Sequence, residues 1–165
     1  MATEQVGISD NIVSATIAES RDKPNKKHVL ARLRDWQARV HALYDAVQKT
    51  LGSDYAYDRS GNQESAEDMV QRVRLDPAKV PKLDILRIEQ DGKAVATFVP
   101  RGLWIIGANG RVDVIITPRS GGRRLFMLID HSLPLSSESD WRIVRPSDQL
   151  HQPPFLPERF GELLE

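Results

Sequence analysis

The sequence predicts an α+β domain: a long N-terminal amphipathic helix packed on an antiparallel meander of five or six strands, of roll or small open-barrel shape. Three observations predict it. Apolar side chains recur every three or four positions between residues 29 and 51, and beyond Lys82 the period drops to two. Asp91-Gly92, Asn109-Gly110 and Gly121-Gly122 then punctuate the second half with hairpin-type turns.

Residues 1–26 are polar apart from Ile12, Val13 and Ile17, and read as an N-terminal arm outside the domain. Asn25, behind Pro24, is placed to cap a helix, and Gly52 to stop it. Over 27–51, Val29, Leu33, Trp36, Val40, Leu43 and Val47 form an apolar stripe that Leu30, Tyr44 and Leu51 widen. The flanking positions (Gln37 on one side, Arg32, Arg39 and Ala46 on the other) supply no opposite charges for a dimer seam. The stripe therefore predicts packing on a sheet, and a homo-oligomer is not implied.

Residues 53–64 read as loop, and 65–75 as a short helix capped by Ser65 with Asp68 three residues on. Pro77 and Pro81 bracket a linker. In the meander, 83–145, the Asp91-Gly92 hairpin joins two β-rich runs, and the "VPRG" of 99–102 suits a turn. "LWII" (103–106), "VDVIIT", "LFMLID" and "DWRIV" supply the remaining strands. The single domain spans 27–146. Residues 147–165 form a Pro-rich tail ending in a short amphipathic helix, with Phe160, Leu163 and Leu164 on one face.

The glycines of "RGLWIIGANGRVDVIIT" invite comparison with a phosphate-binding loop. Such a loop follows a strand and opens a helix, whose N-terminus faces the anion. Here the β-branched "VDVIIT" follows, with no Lys-Ser or Lys-Thr pair, so these are turn glycines and no cofactor is expected.

Length and composition narrow the field. A chain of 165 residues suits one domain with its own core. Lys+Arg and Asp+Glu both total 23, so no overall charge points to nucleic acid or membrane. The absence of cysteine excludes disulfides, thiolate catalysis and Cys-based zinc sites. The N-terminal stretch lacks a signal-peptide core, and no apolar run has membrane-span length, so a cytoplasmic protein is expected.

Four constellations are candidates for function. Pairing the meander on its turn signals sets Trp104 opposite Ile115, Ile115 opposite Leu128, and Asp113 opposite Asp130 with His131 adjacent. Facing carboxylates would suit an acid/base or Mg²⁺-type site, whereas Arg111 or Lys93 would simply neutralise them, and the second reading ranks higher. Asp130-His131-Ser132 has triad residue types, but consecutive strand residues cannot converge. The same pairing gathers Lys79, Lys82, Arg101, Arg119, Arg123 and Arg124 at one end of the sheet, a candidate polyanion-binding pole. Finally, the tail either packs back on its own domain, the reading ranked first, or lays Phe160, Leu163 and Leu164 in a partner's groove as candidate partner-binding residues. Trp104 is expected to be buried core rather than a base-stacking platform.

The order of elements over 27–145 resembles α+β rolls of cystatin or NTF2-like shape and, less closely, Sm-like small barrels. No motif accompanies the resemblance, so it implies a fold and no activity. The function expected first is a noncatalytic protein-interaction module, of accessory, inhibitor or immunity type, since nothing assembles a nucleophile, base and oxyanion site. Nucleic-acid or polyanion binding at the basic pole comes second, and a metal-dependent enzyme built on Asp113 and Asp130 a distant third.

Overall fold

The protein is described from a computed structural model covering residues 25–63, 67–136 and 138–165. Residues 1–24 of the expected 1–26 arm and the Ser65 cap lie outside the described residues, while Asn25 and Lys26 belong to the start of the helix. Helix α1 (Lys26–Leu51) starts where the Asn25 side chain accepts the His28 backbone N–H at 2.8 Å, and Gly52 closes it with φ 70°. Six strands follow in a purely sequential antiparallel sheet: β1 (Ala56–Gln63), β2 (Leu83–Gln90), β3 (Lys93–Gly102), β4 (Arg111–Ile116), β5 (Arg124–Asp130) and β6 (Trp141–Val144). The order runs β1 to β6 without closing into a barrel. A one-turn helix α2 (Asp68–Arg72) lies between β1 and β2, shorter than the expected 65–75.

Helix α1 covers one face of the sheet. Trp36, Val40, Tyr44 and Val47 from the helix meet Leu86, Ile88, Phe98, Val112, Val114, Phe126 and Leu128 from alternate strand positions. Tyr44 shows how the core handles a polar atom: its buried hydroxyl donates to the carbonyl oxygens of Asp84 (2.7 Å) and Phe98 (3.3 Å). Burial, seconded by Asp84, pushes its pKa up. The tail completes this layer. A 3₁₀ helix (Pro157–Leu164) packs along α1, setting the Phe160 ring 5.2 Å from that of Phe98.

Loss of the Asn25 side chain leaves the His28 N–H without that acceptor at the helix start. Asn25→Ala is expected to cost about 1 kcal/mol in urea denaturation, while Asn25→Ser stays close to the parent.

Three sequence expectations are corrected. Residues 56–63 form an edge strand rather than loop. Its Asp, Ser, Gly and Asn are poor strand formers, and side-chain contacts to the helix end reinforce its pairing with β2. The Arg59 Nε donates to Gln48 at 2.7 Å, its Nη2 pairs with Asp45 at 2.7 Å, and the Tyr57 hydroxyl donates to the Gly52 carbonyl at 2.6 Å.

"VPRG" does not turn but continues β3 to Gly102. Pro100 is tolerated because the β2 ladder has ended at Leu86–Phe98 and β3 bulges beside it. "LWII" consequently belongs to a loop. β4 pairs with the Ala96–Gly102 portion of β3 (Phe98 opposite Val114), and Trp104 is only half-buried and has no strand partner. Leu103, fully buried, takes the core position expected of Trp104.

The β4–β5 register is also three residues away from the expected one. Residues 117–123 form a longer loop, so Asp113 faces Met127 and Asp130 faces Trp141. The Asp91-Gly92 turn is as expected, both residues at positive φ (53° and 76°).

Candidate interaction surface at the loop end of the sheet

Because 103–106 is not a strand, the two ends of the sheet collect different loops from those the sequence suggests. One end holds the β3–β4 loop (103–110), the β5–β6 loop (131–140) and the lead-in to β2. The other holds the 91–92 turn and the 117–123 loop. The basic pole is therefore divided. Lys82 and Arg101 stand at the first end, and Arg119, Arg123 and Arg124 at the second. Arg101 is engaged by Asp113 at 2.9 Å, and Arg119 by Gln90 at 2.6 Å.

Asp113 and Asp130 are not brought together. Asp130 faces α1, whereas Asp113 lies on the opposite face, between the Nε atoms of Arg111 (2.8 Å) and Arg101 (2.9 Å). Among the described residues no group of three His, Cys, Asp or Glu side chains is placed to hold a metal ion. His131 contacts Gln152 at 2.6 Å, and Asp130-His131-Ser132 does not converge. Phe160 and Leu164 are buried in the chain's own core and Leu163 is half-buried, so the tail packs back instead of presenting them to a partner.

What the first end does build is a buried, hydrogen-bonded mount. Asp130, wholly buried, receives the Arg39 Nη1 at 2.6 Å on one oxygen and the backbone N–H groups of Ser132 and Asp140, each at 2.9 Å, on the other. Burial opposes its charge. The N–H groups of Asp140 and Ser132, the Ser132 side chain and Arg39 outweigh that cost, and its pKa is held below the ordinary carboxylate value. Arg39 also binds Asp35 and the Asn109 carbonyl, each at 2.8 Å, anchoring the cluster to α1.

Asn109, also buried, ties the two loops together. Its backbone N–H donates to the Asp130 carbonyl at 2.7 Å, and its side-chain amide donates to the Ser132 hydroxyl and the Leu133 carbonyl, each at 3.3 Å. The side-chain oxygen accepts from the Arg32 Nη2 at 2.7 Å.

The tips of these anchored loops are apolar. Ile106, at the crest of a tight turn closed by Ala108 N–H to the Ile105 carbonyl, is fully exposed (104%). Leu133 is 77% exposed and Leu135 49%, the latter at φ 58°, a left-handed conformation unfavourable for a leucine. Trp104 flanks them, with the Arg32 guanidinium 5.2 Å over its ring, beside a cleft of about 330 Å³ lined by Glu67, Asp68, Met69 and Arg72. Glu67 accepts the Leu103 backbone N–H and holds α2 against this loop.

The sequence carried a signal for these residues that the strand pattern obscured. Leu133 and Leu135 stand among Ser and Pro, and Ile106 borders Gly-Ala-Asn-Gly, apolar side chains in turn-forming surroundings. Arg32, Arg39 and Asn109 gave none: two look like solvated helix charges and the third like an ordinary turn residue.

No known protein family matches the chain, and comparison with curated proteins and with solved structures returns no similar protein. No helix among the described residues is long and apolar enough to cross a membrane.

Proposed function

We propose that the chain is a noncatalytic protein-interaction module that binds through the loop end of its sheet, with Ile106, Leu133 and Leu135 at the contact. The observation that carries this reading is the pairing of exposed apolar tips with a buried, hydrogen-bonded mount. Exposed apolar side chains on two loops at the same end of a sheet favour a covering surface. Loops fixed in advance lose little entropy when they are covered.

A pull-down from native lysate with the tagged chain tests it. A stoichiometric partner is expected with the parent and with Leu150→Ser, a fully exposed leucine beyond the far end of β6. Binding is expected to fall by about tenfold or more with Ile106→Ser/Leu133→Ser, because apolar interface anchors carry a large share of binding energy. The double variant should fold normally, since exposed substitutions change stability by only about 0.5 kcal/mol. Equal capture by the double variant, or no stoichiometric partner above a tag control, would sink the reading.

A further inference from the structure

We infer that the loop end recognises a peptide segment in which a carboxylate stands beside apolar side chains, the carboxylate being taken by Arg32. This rests on the interaction reading above and adds the chemistry of the partner.

Five described arginines are at least partly buried: Arg32, Arg39, Arg59, Arg111 and Arg142. Four of them have a carboxylate: Asp35 and Asp130 for Arg39, Asp45 for Arg59, Asp113 for Arg111 and Asp140 for Arg142. Arg32 alone has none within ion-pair reach among the described residues. Its hydrogen bond goes to the neutral side-chain oxygen of Asn109.

Even partial burial of a guanidinium without a counter-charge is unfavourable, and the surroundings register that cost. Burial and then the neighbouring Arg39 hold its pKa below the usual arginine value, against the weaker pull of Asp35 and Glu67. Arg32 nevertheless remains charged and keeps further N–H donors in its planar fork. The Trp104 ring lies 5.2 Å from the centre of that fork, and the Asn109 bond holds one edge. Asn109 also links Arg32 to the loop bearing Leu133, while Trp104 shares its loop with Ile106. One partner segment can therefore meet a held cation and apolar side chains together. Such a charge-assisted contact, formed at a partly buried guanidinium, is stronger than a fully exposed ion pair.

Selection of a random phage-displayed peptide library on the folded full chain tests the inference. Enriched peptides are expected to carry Asp or Glu beside Leu, Ile or Phe. Changing that acid to its amide should weaken binding about tenfold or more. Arg32→Gln should weaken the acidic peptide by a similar factor and leave the amide peptide nearly unaffected. Arg32→Lys should fall between, keeping the charge but losing the planar fork. Near-UV circular dichroism matching the parent establishes that each variant is folded. Should one not fold, Trp104→Leu takes its place, with weakened binding of the acidic peptide expected and unchanged binding overturning the inference.

Peptides that lose binding with Ile106→Ser/Leu133→Ser but ignore both Arg32→Gln and the acid-to-amide change overturn the acidic anchor while leaving the interaction reading intact. Peptides indifferent to the loop variant as well overturn both. So does the absence of any peptide enriched over bare support, or binding only to phosphatidylserine-containing vesicles.

Discussion

Truncation of Asp130 to alanine is expected to destabilise the domain by about 3–5 kcal/mol, the usual cost of stranding one partner of a buried ion pair. The variant leaves Arg39 buried against α1 with only Asp35 as counter-charge, and removes the acceptor of two backbone N–H groups in the β5–β6 loop. In a domain of this size the loss corresponds to a melting point lower by about 10 °C. Asp130→Asn should fall between, since the amide oxygen still accepts from Ser132 or Asp140 while the charge is gone.

The pH dependence follows from the direction of the shift. The folded carboxyl has the lower pKa, so its contribution is fully present above the unfolded value of about 4 and is lost as the pH falls through the folded one. Urea midpoints measured from neutral pH down to about pH 3 should show an acid limb that is shallower in Asp130→Asn. A cost under about 1 kcal/mol for the alanine variant, or an unchanged acid limb, would show that Asp130 does not anchor the loop end.

Gly110→Ala is expected to be the most damaging glycine-to-alanine change among the described residues. Gly110 adopts φ 127°, a backbone region that L side chains rarely enter, and a Cβ there would lie 2.2 Å from the six-membered ring of Trp36. Trp36 is wholly buried and its ring lies 5.9 Å from that of Trp141, so moving it would disturb packed core neighbours. Strain and overpacking together put the loss at about 4 kcal/mol or more. Gly107→Ala separates the two causes, since its φ is also positive (76°) but nothing lies within 4 Å of the added carbon. It should cost only about 1 kcal/mol. Similar denaturation midpoints for the two variants would mean that the Trp36 contact does not set the loss.

How far the sequence reveals this molecule depends on where the relevant energy resides. Helix α1 was legible because its stripe and its Asn25 cap are local, and the Asp91-Gly92 turn because both residues must accept positive φ. Strand β1 was not: its order comes from Arg59 and Tyr57 reaching back to α1, contacts that no period-two pattern encodes. "LWII" has the composition of a strand, but Leu103 gives its N–H to Glu67, a bond between residues 36 apart.

That one miscounted strand reverses the direction of everything downstream in a meander, which is why Arg119, Arg123 and Arg124 stand at the far end from Lys82 and Arg101. The candidate site suffers most from this, because its mount is made of contacts such as Arg39–Asp130, separated by 91 residues. Side chains that meet across such distances leave no trace in local spacing.

The tail's place in the core also bears on how the apolar surface of the molecule is closed. Phe160 and Leu164 pack beneath α1, and the Arg119 and Ser120 N–H groups donate to the carbonyls of Leu164 and Glu165 at 3.0 and 3.3 Å. Without this segment, Phe98 and the adjoining face of the first helix lack their cover. A segment distant in sequence from both α1 and β3 thus closes the core, so the apolar surface it covers stays open to solvent in any partly folded state in which residues 157–165 are undocked.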